Sequence, residues 1–566
     1  MRHARHEGDV MTCAEGTVTP RGTTGYRSAA MSLRRIFLFS LLLAALGAPA
    51  AHAGDDQLSI MMDDDQLLYR NETTRSRTLV TMRSLGADAI RVSVLWRVVA
   101  QDADLTNAEI DKLDTEAKKK RARKQRMRFK PSDPRTYPTR NWDRYDNVVK
   151  EATNLGMRVY FTLTGPGPRY GHKVAPPSQR ANAGTFKPYP SRFRSFVEAV
   201  GKRYSGSYKD ENGIRGILPR VGTWSIWNEP NQPGWLTPQW ESRGGETVPA
   251  SPGIYRRLFV AGRQGLERSG HGDDIILLGE TSPLGSPLRG PRNGIRPVPF
   301  LRELACVAPD GQQYTGVAAE RRDCLNYAVT GPLKATGYAH HPYTKKGAPT
   351  VAPKVPDEVT IANIASLGPL LDTVSDQSGG KIPRDMPILL TEFGYESNPP
   401  DARNGVSHMR QAQFNQLAEF LAYQDPRVKA MTQFLVRDAA PLKRFAKGSR
   451  FYWFTYQSGL YNLKGQAKPA AYGYTFPLVL FPAGEGVIGF WGQMRFRPNG
   501  SDDSVVFMWR PNATTEWSPI GDPVKTNFRG YFSGSVPIPG PGGQYRAVYL
   551  DPETGAVKVS SLFTAP

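Results

Sequence analysis

The stretch VGTWSIWNEPNQPGW, residues 221–235, constrains this chain more than any other. Its first half is β-branched and aromatic enough for a buried strand, and Asn228-Glu229-Pro230 breaks that strand with an amide and an acid at its carboxyl end. A second apolar run, MPILLTEFGY at 386–395, ends in Thr391-Glu392-Phe393-Gly394. A parallel (β/α)8 barrel gathers its chemistry at the carboxyl ends of its strands, so Glu229 and Glu392 are candidate catalytic groups. Two such carboxyls suit glycoside hydrolysis, in which one protonates the leaving oxygen and the other meets the developing oxocarbenium ion.

The remaining sequence repeats strand and helix in alternation. Candidate strands lie at 57–62, 89–96, 157–163, 274–279, 335–343 and 429–438, making eight with the two above. Between them, Trp142, Tyr145, Val148, Val149, Ala152 and Leu155 mark one helical stripe, and Phe193, Phe196, Val197, Val200 and Tyr204 mark another. The expected architecture is a (β/α)8 TIM barrel over 54–480. Beyond Phe481 helical periodicity gives way to short β-rich runs punctuated by Gly, Pro and Asn, which predicts a C-terminal β-sandwich over 481–566. Residues 101–137 interrupt the alternation with a basic insertion that includes Lys118-Lys119-Lys120-Arg121 and Arg123-Lys124-Gln125-Arg126. It follows the second strand, on the active-site face, where it could contact an acidic glycan; the alternative is a solvated, partly helical surface segment.

Residues 1–53 read as a leader. Arg34 and Arg35 precede an apolar run to Leu46, and Ala51-His52-Ala53 is a small-x-small cleavage site before Gly54, with translation expected to begin at Met31. The expected mature protein is secreted and carries no transmembrane segment, since that run is too short to span a bilayer comfortably. Taking the six Lys/Arg and three Asp/Glu of the leader from the 73 and 52 of the whole chain leaves a net charge of +18. Such a balance favours anionic surfaces or polymers and says nothing about fold. Outside the leader only Cys306 and Cys324 remain, a candidate disulfide in an oxidising compartment, with two reduced buried thiols as the alternative.

Trp227-Asn228-Glu229-Pro230, His341-Pro342-Tyr343 and Thr391-Glu392-Phe393-Gly394, in that order and each following a strand, resemble the retaining glycoside hydrolases of clan A, especially families 39 and 5. The resemblance covers roughly Gln57 to Tyr472 and includes Lys468-Pro469-Ala470 near the barrel's end. It implies that Glu229 is the acid/base and Glu392 the nucleophile. It also implies that Asn228 meets the sugar 2-hydroxyl, that Arg91 lies beside the nucleophile, and that His341 and Tyr343 orient the same carboxylate. His340 is the adjacent alternative to His341, because side chains alternate along a strand.

Sugar rings stack their C–H faces on indoles, so Trp96, Trp235 and Trp453, each after a candidate strand end, are candidate platforms. Glu280 and Glu396 are further acids near the rim with no assigned chemistry. With no Cys/His cluster, phosphate loop or dinucleotide fingerprint in the sequence, no cofactor, metal or nucleic-acid partner is expected. The expected partner is an oligo- or polysaccharide. The competing reading is a non-catalytic carbohydrate- or polyanion-binding barrel, and a transglycosylase would use the same two carboxyls with a different acceptor.

Overall fold

The computed structural model describes residues 54–177, 183–212, 216–497 and 503–564; the expected leader and its cleavage site lie outside them. Eight parallel strands close a barrel: β1 (Leu58–Met62), β2 (Ala89–Leu95), β3 (Arg158–Thr164), β4 (Thr223–Ile226), β5 (Ile275–Thr281), β6 (Gly337–His340), β7 (Ile388–Phe393) and β8 (Val428–Phe434). Each strand pairs with its sequence neighbours, and β1 closes the ring on β8 in a register running from Leu58 opposite Ala430 to Met62 opposite Phe434. The strands are almost wholly buried, as expected for a parallel sheet covered by helices on its outer face.

Helices α1 (Glu72–Ser84), α2 (Glu116–Arg128), α3 (Asp143–Asn154), α4 (Pro190–Arg203), α5 (Ser251–Arg268), α6 (Pro297–Leu304), α7 (Leu367–Gln377) and α8 (His408–Tyr423) follow in order. Those that cover the barrel do so with the stripes legible in the sequence: α3 buries Tyr145, Val148, Val149 and Ala152, and α4 buries Phe193, Phe196, Val197 and Val200. Helix α2 differs, since it lies in the basic insertion and buries no side chain. It is capped by Thr115, whose hydroxyl accepts from the Lys118 amide, and carries Glu116 in its first turn and Arg126 and Arg128 in its last, complementing the helix dipole.

The segment from Ser282 to Thr330, with little periodicity in its sequence, is partly helical. Helix α6 starts on Pro297, which is preset for a first helical turn, and buries Phe300, Leu301 and Leu304. Cys306 and Cys324 are joined, closing a separation of 18 residues. In the loop-entropy account a closure of this size contributes about 3 kcal/mol.

After the barrel, strands β9 (Leu478–Pro482), β10 (Val487–Gln493) and β12 (Tyr531–Pro537) form one antiparallel sheet. Strands β11 (Ser504–Arg510) and β13 (Gln544–Leu550), with short edge segments, form the other. Leu478, Phe490 and Phe532 of the first sheet meet Val505, Phe507, Tyr545 and Ala547 of the second in one apolar core, which makes this region a β-sandwich. Its first strand begins at Leu478, a few residues before the composition shifts. The sandwich packs beneath the barrel: Phe420 and Tyr423 of α8 meet Val479, Trp491 and Tyr531. Arg495 reaches the start of β1, donating to Ser59 Oγ at 2.8 Å and pairing with Glu419 at 3.1 Å.

Candidate active site

Glu229 follows β4, Glu280 is the penultimate residue of β5, His341 follows β6 and Glu392 lies near the end of β7, so adjacent barrel strands deliver four ionisable groups to one end. The backbone at this end is unusual. Trp227, Glu229 and Glu280 all have positive φ, at 71°, 37° and 51°, a region non-glycine residues enter at a cost of order 1–3 kcal/mol each. Hydrogen bonds hold them there: the Trp227 amide donates to the Leu163 carbonyl at 2.8 Å, and the Glu229 amide to the Glu280 carbonyl at 2.9 Å. The Trp227 indole adds a third, to the Trp235 carbonyl at 3.2 Å.

Glu392 accepts two bonds, from Arg91 Nη1 at 2.8 Å and from the Tyr343 hydroxyl at 3.1 Å. Glu229 is the more open of the two, with 19% of its side chain exposed against 12% for Glu392, and touches His341 Nδ1 at 3.1 Å. The same nitrogen stands 3.6 Å from Glu392. One oxygen of Glu229, one of Glu392 and a ring nitrogen of His341 all lie within 4.8 Å of one another. His341 thus bridges the two carboxyls, where the resemblance had tied it to Glu392 alone.

Beneath them sits Glu280, fully buried, which sequence reasoning placed at the rim without a role. Its Oε2 accepts from Arg91 Nη2 at 2.9 Å, from His341 Nε2 at 2.6 Å and from the Thr391 hydroxyl at 2.9 Å. Its Oε1 accepts from Tyr160 and from Thr162. Burial pushes this carboxyl up, but the Arg91 charge and the His341 bond and charge outweigh it and hold Glu280 well below the usual carboxylate range. Burial likewise opposes charge on His341, yet Glu392, Glu229 and Glu280 together raise it to about 10, so it carries a proton on both nitrogens at neutral pH. Arg91 is kept charged by Glu280 and Glu392 in the same way. The signal for Glu280 was present in the sequence, since DIILLGE is another apolar strand ending in an acid.

Glu229, His341 and Glu392 have the composition of a small cation site. An imidazole held protonated presents N–H donors there in place of a lone pair, and its own charge faces the carboxyls. His340, also buried, points elsewhere. It bonds Thr281 and the Val359 carbonyl, and burial together with the His341 charge lowers it to about 3, so it stays neutral.

Asn228 is buried and accepts on its Oδ1 from Arg91 Nη2 at 2.8 Å, which fixes the amide and leaves Nδ2 with no protein acceptor among the described residues. Tyr343 is held protonated by burial and by the Glu392 charge, as a donor must be. Its ring meets Phe434 of β8 at 6.1 Å, and Phe434 meets Tyr456 at 5.0 Å, so the loop after β8 borders the site. Trp453 lies in that loop, half-buried and edge-on to Tyr452. Trp235 is half-buried in the loop after Glu229. Trp96 is a correction. Strand β2 stops at Leu95 and the chain turns into a short helix, which tucks the indole wholly inside against Phe193, Phe196 and Tyr170, out of reach of a sugar.

No family model matches the chain, and no curated protein matches it. Among solved structures it is similar to a family 39 glycoside hydrolase from Bacteroides cellulosilyticus WH2, at 11% identity over 87% of this chain and 81% of that one, with a TM-score of 0.43. It is similar to a glucosidase from Croceicoccus marinus at 13% identity over 91% and 94%, TM-score 0.44. A third is GH5_18 from Streptomyces cattleya in complex with GlcNAc, at 14% identity over 74% and 78%, TM-score 0.41.

Proposed function

We propose that this protein is a secreted glycoside hydrolase that cleaves an oligo- or polysaccharide with retention of configuration. The observation that carries the reading is the separation of the two strand-end carboxyls, whose nearest oxygens lie within 4.8 Å. Retaining sites hold their carboxyls about 5 Å apart, whereas inverting sites need roughly 6.5–9.5 Å to seat a water molecule. In this reading Glu392, both of whose oxygens accept from fixed donors, attacks the anomeric carbon. Glu229 protonates the leaving oxygen and then takes a proton from the water that releases the sugar; its greater exposure suits a group that must exchange protons twice. Asn228 offers Nδ2 to the sugar 2-hydroxyl, while Arg91 and His341 fix the carboxyls. A purely binding barrel has no use for a buried acid that locks a cation between two mouth carboxyls, which favours the enzyme.

The test is the anomeric configuration of the first product from an aryl glycoside panel, read by proton NMR before mutarotation. A retained product supports the reading, and an inverted one removes the nucleophile role from Glu392. Secretion is tested by amino-terminal sequencing of exported protein, which should begin near Gly54. Among the described residues no helix is long and apolar enough to cross a membrane.

A further inference from the structure

The loop after β8 contains a feature that the hydrolase reading does not require. From residue 439 to 484 the sequence holds no Asp or Glu, while Lys443, Arg444, Lys447 and Arg450 fall within eight residues among Phe445, Phe451, Tyr452, Trp453, Phe454 and Tyr456. The loop is an ordered excursion, closed at its base by the Ala439 amide donating to the Tyr456 carbonyl and higher up by Leu442 to Tyr452, both at 2.8 Å. It stands over the catalytic end, connected ring by ring from Tyr456 through Phe434 to Tyr343, whose hydroxyl bonds Glu392.

Its aromatic rings are not spent on a core. Phe454 is 71% exposed and Tyr456 52%. All four cations are exposed, and none has an acidic partner within 4.0 Å among the described residues. The contrast with the basic insertion is informative. There Lys118, Lys119, Arg123 and Arg135 pair with Asp114, Glu116, Asp111 and Asp133, and Arg126 and Arg128 donate to carbonyls, leaving Lys112, Lys120, Arg121, Lys124 and Lys130. The insertion sets seven acids among its cations and pairs four of them, whereas the β8 loop carries no acid at all.

Two of the loop's guanidiniums lie on rings, Arg444 over Phe445 at 5.0 Å and Arg450 over Phe451 at 4.6 Å. A guanidinium seated over an aromatic face is restrained there, and its fork of N–H groups suits a two-point bond to a carboxylate or sulfate. Neighbouring open rings can take the C–H face of a pyranose. One ligand class uses both surfaces: a sugar ring bearing an anionic group at its edge. We propose that the natural substrate is an acidic polysaccharide, and that Lys443, Arg444, Lys447 and Arg450 bind uronate or sulfate groups on sugar units next to the bond being cut. This rests on the hydrolase reading for the cutting and on the loop alone for the binding.

The test uses the full-length enzyme and the variant with Lys443, Arg444, Lys447 and Arg450 all changed to Gln. Each is run by affinity electrophoresis and in reducing-end assays on uronate polymers, on the same polymers after carboxyl reduction, and on sulfated polymers. Wild type is expected to be retarded by, and to cleave, at least one acidic polymer in preference to its neutral counterpart, with the preference fading as salt rises. The uronate and sulfate arms identify which anion is read. Weak exposed contacts add modestly, so the acidic-to-neutral ratio of kcat/KM should fall about tenfold in the variant. Equal action on the acidic polymer and its reduced form, equal retardation of variant and wild type, or equal retardation by single-stranded nucleic acid overturns the proposal. Retardation lost in the variant, with no glycoside cleaved by either protein, upholds the loop's role and overturns the hydrolase reading instead.

Discussion

Glu229 and Glu280 are joined through both backbone and side chain. The Glu229 amide donates to the Glu280 carbonyl at 2.9 Å, and the Glu280 carboxylate holds His341 by Nε2 while His341 Nδ1 meets the Glu229 carboxyl. A group that need not touch the sugar therefore sets where the proposed acid/base stands. Through Arg91 the same carboxylate also reaches Glu392.

Changing Glu280 to Gln is expected to lower kcat on an aryl glycoside about 100-fold, because small misplacements of reacting groups cost that much. Stability should fall by about 3–5 kcal/mol, as when one partner of a buried ion pair is lost. A pH profile separates positioning from mere damage. With its fully buried partner neutral, the His341 ionisation should move down from about 10, carrying any alkaline limb with it.

The two mouth glutamates are separable by chemical rescue. Glu229→Ala, given a substrate whose leaving group needs no protonation, should accumulate a glycosyl intermediate that azide releases as a product of retained configuration. Glu392→Ala can form no such intermediate, so azide should give an inverted product. Product NMR reads both.

His341 makes stability depend on pH in a defined direction. Its folded value, about 10, stands above the ordinary 6.5. The stabilisation is fully present below pH 6.5 and is lost as pH rises through about 10. The melting-temperature gap between wild type and His341→Asn should therefore be steady from pH 5 to about 6.5 and shrink progressively towards pH 10. A gap that widens with pH would contradict the charged imidazole.

Arg495→Ala should cost about 3–5 kcal/mol, because Glu419 is left buried without its cation. Activity on a small glycoside, measured well below the melting temperature, should change little, since Arg495 sits at the amino-terminal ends of the strands. Denaturant unfolding and initial rates on one preparation check both halves.

The barrel was legible in the sequence because parallel strands buried on both faces are rich in apolar and β-branched residues, as β2, β3, β5, β7 and β8 are. The two mouth glutamates were legible for the converse reason, as acids ending such runs. Glu280 ends a run too, but nothing local distinguishes an acid facing solvent from one sealed beneath neighbours. That depends on Arg91, Tyr160, His341 and Thr391 arriving from four other strands. Trp96 failed similarly: its position after β2 was right, and its burial was decided by Phe193 and Phe196 a hundred residues away. The cations of the β8 loop were visible as letters, but whether folding would bring an acid to them was not.

The sandwich meets the barrel at Ser59, Asp88 and Glu419, all at the pole opposite the carboxyl pair. Durability and the proposed selectivity thus lie at opposite ends of the same strands. Hardening this protein against heat is a task for the floor, around Arg495, Trp491 and Tyr423, whereas redirecting the proposed hydrolase to another glycan is a task for the loops at the mouth. The two kinds of change lie far enough apart to be combined in one chain without renegotiating either.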